Sequence, residues 1–188
     1  DVKLLVPDDA APRFFKARPV PYALRDRVDE ELRRLEAAGI ISPVKHSDWA
    51  APIVPVVKKD GSVRVCSDYK LTFNTVAKPE HYPLPRIEDM FAKLGGGCKW
   101  PKLDLSDAFL QLPLSPESKA YLTSNTQRGL FQVNRMPFGI NCASAIFQRT
   151  LETLLGDLDA VQVFVDDILV TGRTLQHHRQ NLETVLHR

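Results

Sequence analysis

The 188-residue sequence predicts an α+β fold, in which signals for antiparallel hairpins alternate with amphipathic helices. Residues 53–66 contain an Asp-Gly pair between two β-favouring runs, which is a strong hairpin signal. Residues 161–170 form a second β-favouring run around Asp166 and Asp167, and this pattern predicts a second hairpin with the two acids at its turn. Elsewhere, apolar residues recur at the three- and four-residue spacing of helices.

The composition is that of a globular protein. With 44% hydrophobic residues, the chain can bury a core as one large domain or as two small lobes. Its net charge is only +2, so binding to nucleic acid must come from local clusters of Lys and Arg. Cys66, Cys98 and Cys142 are far apart in sequence, and we expect reduced, structural thiols in an intracellular protein. Because no apolar run approaches the roughly 20 residues that span a bilayer, we expect no membrane partner.

The first part of the chain is predicted to contain an arm, a helix and extended segments. Residues 1–21 contain several prolines and no sustained period, which predicts an extended N-terminal arm. Residues 22–38 are amphipathic and precede Gly39, a residue typical of helix C-caps. Prolines within residues 40–57 favour extended or edge-strand structure over helix.

The first predicted hairpin carries cations. Lys58 and Lys59 enter its turn and Arg64 follows it, so a charged group on each strand can reach one anionic ligand, for which phosphate is the obvious candidate. The alternative is that these lysines keep an exposed hairpin soluble and block edge-to-edge pairing.

Three further helices are predicted. Residues 86–94 have Ile87, Met90, Phe91 and Leu94 at helical spacing, and we expect these four side chains to lie in the core. Residues 111–133 alternate apolar runs with turns and predict strands. The other two helices run from a predicted N-cap at Asn141 to Leu155, with a buried stripe that includes Leu154, and over residues 175–188.

A third carboxylate precedes the second hairpin. Residues 102–105 predict a strand with Asp104 on the face opposite to its leucines, where an acid is costly unless it has a partner. If this strand lies beside the hairpin, Asp104 and Asp166 can share two divalent ions and promote an in-line phosphoryl transfer. The alternative for Asp166 and Asp167 alone is a solvated acidic turn.

Four motifs in this order resemble those of reverse transcriptases, and specifically the gypsy class of LTR retrotransposon polymerases. They are Lys58-Lys-Asp-Gly-Ser-Val-Arg64, Lys102-Leu-Asp-Leu-Ser-Asp-Ala-Phe109, Met136-Pro-Phe-Gly139 with Ala145-Ile-Phe-Gln148, and Phe164-Val-Asp-Asp167. The last motif departs from the family pattern, since Phe164 stands where Tyr is common.

The resemblance implies a two-metal polymerase. Asp104, Asp166 and Asp167 would be the catalytic carboxylates, with Asp104 and Asp166 as direct ligands of two Mg²⁺ ions and Asp167 contributing mainly charge. Mn²⁺ would be a substitute metal. Leu105 would offer a backbone carbonyl to the metal site.

The same resemblance implies a binding site for the incoming dNTP. Lys59 and Arg64 would meet the triphosphate, and the amides of Asp107 and Ala108 would hold its tail.

The sugar and the primer would be bound by other residues of the same motifs. Phe109 would lie beneath the deoxyribose, where a core aromatic is the alternative. Phe138 would face the sugar and template region. Phe164 and Val165 would lie at the primer terminus.

As implied by the resemblance, the architecture is that of the fingers and palm of a right-hand polymerase, with a ferredoxin-like antiparallel palm sheet and helices on one face. The N-terminal arm would be residues 1–21, the fingers residues 22–85 and 113–140, and the palm residues 86–112 and 141–188. The chain would be a piece of a pol polyprotein that continues into a thumb, RNase H and integrase.

The predicted function is therefore RNA-directed DNA synthesis on an RNA or DNA template with a primer. Its location would be a cytoplasmic virus-like particle or the nucleus, and the isolated piece would be inactive or weakly active. One alternative is a non-catalytic retroelement remnant that only binds nucleic acid. A generic two-metal phosphohydrolase is another alternative, but it leaves Phe109 and the cationic hairpin unexplained.

Overall fold

The computed structural model describes all residues 1–188, which form two compact units that interleave along the chain. The first unit comprises Asp1–Pro79 and Phe109–Ala143, and the second comprises Glu80–Ala108 and Ser144–Arg188. The α+β class predicted from the sequence is confirmed. The residue bounds predicted for the arm, the fingers and the palm stay a prediction.

Eight strands and five α-helices make up the regular structure. The strands are β1 (Ile41–Val44), β2 (Ala51–Val57), β3 (Val63–Ser67), β4 (Lys102–Asp104), β5 (Thr123–Thr126), β6 (Gly129–Val133), β7 (Val161–Phe164) and β8 (Asp167–Val170). The helices are α1 (Arg25–Ala37), α2 (Ile87–Lys93), α3 (Pro116–Lys119), α4 (Ala143–Leu155) and α5 (Leu175–His187). None of these helices is both long and apolar enough to traverse a bilayer.

A five-stranded sheet in the order β1-β6-β5-β2-β3 dominates the first unit. All neighbours are antiparallel except β2 and β5, which pair in parallel. Helix α1 buries Val28, Leu32 and Leu35, which recur every three or four residues on one face. Gly39 follows this helix with a φ of 68°, a left-handed conformation that glycine adopts without steric cost. The predicted helix and its C-terminal glycine are confirmed.

The predicted hairpin of the first unit is confirmed as β2 and β3. Val57 pairs with Val63, and the Lys58 amide donates to the Ser62 carbonyl at 2.8 Å. Within the turn, Asp60 accepts hydrogen bonds from the Ser62 amide and hydroxyl. Two residues of the turn therefore stabilise it: Asp60 supplies the hydrogen-bond acceptor, and Gly61 adopts the φ of 82° that the turn requires.

The N-terminal residues form backbone hydrogen bonds with the rest of the first unit. Val2 donates to the Pro113 carbonyl at 2.7 Å, and the Ser115 amide donates back to Val2 at 2.8 Å. Leu4 and Val20 are buried. The predicted arm is therefore extended but packed.

A three-stranded antiparallel sheet in the order β4-β8-β7 forms the centre of the second unit. Its buried residues Val161, Val163, Ile168 and Val170 alternate along β7 and β8. Helix α4 contributes a buried stripe: Ile146, Phe147, Gln148, Leu151 and Leu155.

Two predictions about buried side chains are wrong. Ile87 and Phe91 on α2 are 55% and 62% exposed. Met90 is the buried residue of this seven-residue helix, and Leu94, which follows the helix, is buried as well. Leu154 is 45% exposed, since the stripe of α4 runs through Leu155 instead.

Candidate active site

The turn between β7 and β8 is displaced by one residue from the sequence prediction. Phe164 pairs with Asp167, so the two central turn residues are Val165 and Asp166. Asp167 is not at the turn centre but begins β8. The prediction failed because Val165 occupies a left-handed conformation, with a φ of 53°, that β-branched residues rarely adopt. Local propensity does not reveal such a turn.

The register of the sheet brings the three predicted carboxylates to one end of neighbouring strands. Asp104, the last residue of β4, lies directly opposite Asp167, the first residue of β8. Residues that face each other across antiparallel strands project to the same side of the sheet. The Leu105 amide donates to the Asp166 backbone carbonyl at 3.4 Å, so the contact between the segments of β4 and β8 extends into the β7–β8 turn. Asp104 and Asp166 are exposed, and Asp167 is half-buried.

Lys102 lies at this end of the sheet and is attracted by the negative charge of Asp104, Asp166 and Asp167. Lys102 lies two residues before Asp104, so the two side chains share a face of β4. Its Nζ lies 3.0 Å from Oδ1 and 3.2 Å from Oδ2 of Asp167. This hydrogen bond and the Asp167 charge raise the pKa of Lys102, and the charges of Asp104 and Asp166 raise it further. A cation at this position is thus attracted by all three carboxylates.

The donor chemistry of these acids fits a divalent ion. Carboxylate oxygens are the hard ligands that Mg²⁺ prefers, and Mg²⁺ usually keeps water and substrate phosphates as its other ligands. In the described chain, no three His, Cys, Asp or Glu side chains converge closely enough to enclose a metal by themselves. The roles of Asp104, Asp166, Asp167 and the Leu105 carbonyl as metal ligands stay predictions.

Gln148 of α4 contacts the backbone of the turn, and sequence reasoning assigned it no role. Its Oε1 accepts a hydrogen bond from the Val165 amide at 2.6 Å, and its Nε2 donates to the Val163 carbonyl at 2.9 Å. The side chain is fully buried. A signal was present, because Gln148 is a polar residue within the otherwise apolar stripe of α4.

In the first unit, the structure brings three of the predicted nucleotide-binding residues together. The guanidinium carbon of Arg64 lies 5.0 Å from the centre of the Phe138 ring, within cation–π range. The ring centre of Phe138 in turn lies 5.3 Å from that of Phe109, with the rings tilted by 51°. Lys59 is exposed in the β2–β3 turn.

The loop that carries Phe138 is held by an asparagine that sequence reasoning also missed. Asn74 Nδ2 donates to the Gly139 carbonyl at 2.8 Å, and the Asn141 amide donates to Asn74 Oδ1 at 3.0 Å. Gly139 has a φ of 92°, so this bend depends on glycine. These bonds fix the loop immediately after Phe138.

The two residues predicted to hold the triphosphate tail lie just after β4. Asp107 is exposed and has a φ of 50°, and Ala108 is buried at the start of a four-residue 3₁₀ turn. Phe164, at the end of β7, is half-buried like Val165. The roles of these four residues toward nucleotide and primer stay predictions.

Comparison with known proteins places this geometry in a family context. Residues 56–188 match the family described as Reverse transcriptase (RNA-dependent DNA polymerase). The chain is 39% identical over 183 residues to an uncharacterised protein of Caenorhabditis elegans, covering 96% of this chain and 14% of that protein. It is 34% identical over 170 residues to a Tf2 transposon polyprotein of Schizosaccharomyces pombe, covering 89% of this chain and 13% of the polyprotein. The chain therefore spans about a seventh of the length of these curated relatives.

Solved structures give the same picture of the fold. The crystal structure of the prototype foamy virus protease-reverse transcriptase superposes with a TM-score of 0.82 at 28% identity, over 94% of this chain and 24% of that protein. The foamy viral enzyme in complex with an RNA/DNA hybrid superposes with a TM-score of 0.79 at 22% identity, over 94% of this chain and 24% of the viral chain. The predicted α+β fold of polymerase fingers and palm is confirmed by these likenesses.

Proposed function

Because the chain belongs to the reverse transcriptase (RNA-dependent DNA polymerase) family, we propose that it adds dNTPs to a primer 3′-hydroxyl as part of a gypsy-class retrotransposon polyprotein. The observation that carries this proposal is the opposition of Asp104 and Asp167 at the ends of β4 and β8, with Asp166 in the adjoining turn. The contact of 3.0 Å between Lys102 Nζ and Asp167 Oδ1 supports a site for positive charge at this end of the sheet.

The carboxylates have separate roles in this proposal. Asp104 and Asp166 hold two Mg²⁺ ions, with the Leu105 carbonyl as an additional ligand. When bound, these ions lower the pKa of the primer hydroxyl and stabilise the pyrophosphate leaving group. Asp167 contributes negative charge, and its ion pair with Lys102 holds its carboxylate toward β4. The sheet register fixes the positions of Asp104 and Asp167 relative to each other, so this pair needs little reorganisation when substrate arrives.

The incoming nucleotide is held by the cations and aromatic rings of the first unit. Arg64 and Lys59 bind the triphosphate. Phe109 excludes a 2′-hydroxyl. Packing of Phe138 between Arg64 and Phe109 supports this assignment, because it restricts the rotamers of both neighbours.

The proposed macromolecular partners are a primer and an RNA or DNA template. Foamy viral relatives of this fold have been solved in complex with double-stranded DNA and with an RNA/DNA hybrid. Phe164 and Val165 would contact the primer terminus. The lengths of the curated relatives support further polyprotein domains beside this chain.

Replacement of single carboxylates tests the proposal. In the parent polypeptide, we expect Asp104→Asn or Asp166→Asn to reduce primer extension with Mg²⁺ at least on the order of hundredfold, because Asn is nearly isosteric but lacks the charge that holds the metals. Asp157→Asn, at a surface ion pair with Arg188, is the matched control and should leave extension unchanged.

Circular dichroism melts show whether the variants fold. A folded Asp104→Asn or Asp166→Asn variant with near wild-type extension would refute the carboxylate assignment. A wild-type polypeptide that binds primer–template but never extends it would instead support a non-catalytic remnant.

A further inference from the structure

We propose that Gln148 is a positioning residue that holds the β7–β8 turn in the conformation that presents Asp166 to the metal ions. This inference rests on the proposed polymerase function, since it assigns a purpose to the geometry of the same site. Gln148 touches neither substrate nor metal in this proposal. It acts through the backbone of Val163 and Val165.

The turn needs an external support because its conformation is unfavourable for its own sequence. Val165 is β-branched and has a φ of 53°, a region that such residues avoid because Cβ approaches the backbone. Residues held in sparsely populated conformations persist only where the surrounding structure enforces them. Left to local preference, residue 165 would return to a negative φ and change the direction in which Asp166 leaves the turn.

Gln148 supplies two anchors on either side of Phe164. The amide of Val165 lies at the turn centre, outside the ladder of β7 and β8, and its hydrogen-bond acceptor is Gln148 Oε1 at 2.6 Å. The Val163 carbonyl accepts from Nε2 of the same side chain at 2.9 Å. One buried carboxamide thus fixes the backbone at two points that are two residues apart.

The orientation of this carboxamide is itself fixed by Glu152, one helical turn later on α4. Gln148 Nε2 also donates to Glu152 Oε1 at 2.6 Å, and a carboxylate can only accept. The Val165 amide can only donate, so Oε1 must face the turn and Nε2 must face Glu152. The inverted orientation would place donor against donor at Val165.

A tyrosine completes the chain of bonds on the far side of Glu152. The Tyr82 hydroxyl donates to Glu152 Oε2, and this hydrogen bond raises the pKa of Tyr82. Each oxygen of Glu152 therefore has a defined donor. The series Tyr82, Glu152, Gln148 and Val165 links the surface of the second unit to the turn that carries Asp166.

The primary test is Gln148→Met in the parent polypeptide, because Met has similar length and no hydrogen-bonding amide. We expect the maximal rate of single-nucleotide incorporation to fall on the order of tenfold to a hundredfold, since displacements near 1 Å can cost that much. The dNTP concentration for half-maximal rate should change less than about threefold, because nucleotide-binding residues are untouched. Gln162→Met is the matched control, since Gln162 on β7 donates only to the adjacent Val161 carbonyl.

A second variant separates positioning from simple stability. Glycine accepts a positive φ without steric cost, so Val165→Gly relieves the strain that Gln148 opposes. The double variant Gln148→Met/Val165→Gly should therefore have an incorporation rate less than about threefold below that of the single variant Val165→Gly. This comparison holds whatever effect Val165→Gly has on the rate by itself. A purely structural Gln148 predicts the same loss in both backgrounds, in proportion to the unfolded fraction in thermal melts.

Hydrogen exchange on the same polypeptide provides a readout that does not require activity. Peptides covering residues 161–170 should exchange at least about tenfold faster in Gln148→Met than in Gln162→Met, because the Val165 amide has lost its acceptor. Unchanged exchange, an unchanged rate, or equal losses in the two backgrounds would overturn the positioning role. Absence of extension by the wild type, with this exchange difference intact, would instead refute the proposed polymerase function.

Discussion

Replacement of Phe109 by Val tests whether the protein selects deoxynucleotides. If the Phe109 ring lies against C2′ of the sugar, a 2′-hydroxyl collides with it. Overlap of one oxygen with a packed ring costs on the order of 1 to 3 kcal/mol, which corresponds to roughly ten- to hundredfold discrimination. We expect Phe109→Val to raise the incorporation of rNTPs relative to dNTPs by that factor.

The structure also sets the expected effect of Phe109→Val on stability. A fully buried Phe contributes about 3 to 5 kcal/mol relative to Ala. Phe109 is only half-buried and has Phe138 as an aromatic neighbour at 5.3 Å, so we expect a smaller loss of about 1 to 2 kcal/mol. The selectivity change should therefore be visible in a protein that remains folded.

Single-turnover incorporation of a matched dNTP and rNTP pair, normalised to folded protein, provides the measurement. Phe73→Val is the control, because Phe73 is completely buried in the same unit and should lose stability without changing selectivity. A dNTP/rNTP ratio in Phe109→Val equal to that of wild type would refute the steric role. Equal ratios would leave Phe109 as a packing residue.

Two further predictions concern charges in the second unit. Lys102→Met should lower the Mg²⁺ concentration for half-maximal extension about threefold, because the Lys102 ammonium competes with Mg²⁺ for Asp167. Lys99 is exposed, and Lys99→Met is the control that should leave this Mg²⁺ concentration unchanged. A higher Mg²⁺ requirement in Lys102→Met would contradict the prediction. Glu152→Gln should lower the pKa of Tyr82 toward its ordinary value of 10.0, as measured by NMR of labelled tyrosine. Because the pKa of Tyr82 is raised in the folded state, the hydrogen bond from Tyr82 to Glu152 stabilises the fold fully below pH 10, and this stabilisation is lost as pH rises through the folded-state pKa. Wild type and Glu152→Gln should therefore differ in the pH dependence of their melting temperatures at alkaline pH, and equal curves would contradict this prediction.

The elements that the sequence predicted well are those with local causes. Helix α1 follows from apolar spacing and Gly39, and the β2–β3 hairpin follows from the Asp60 side chain and Gly61 within its own turn. Asp104 was predicted as the third carboxylate from its strand position alone, and the register opposite Asp167 confirms that these strands are neighbours.

The errors have non-local causes. The β7–β8 turn was misplaced by one residue because a contact from α4, through Gln148, supports Val165 at a positive φ. The helical period of residues 86–94 correctly predicted α2, but periodicity does not show how much of an apolar face is covered by other residues. Ile87 and Phe91 are consequently exposed. The parallel pairing of β2 with β5 joins distant segments and has no sequence signature.

The pairing of β4 with β8 determines when Asp104 and Asp167 can face each other during synthesis. Lys102 and Asp167 are 65 positions apart, and β4 has no other strand neighbour in its sheet. On the ribosome, β4 emerges first and waits unpaired for several seconds, at translation rates of about 5 to 20 residues per second, until the hairpin follows. Asp104 therefore has no opposing carboxylate in the early nascent chain. Asp104 and Asp167 can come to face each other only after β8 has left the exit tunnel, because their contact joins segments that are distant in sequence.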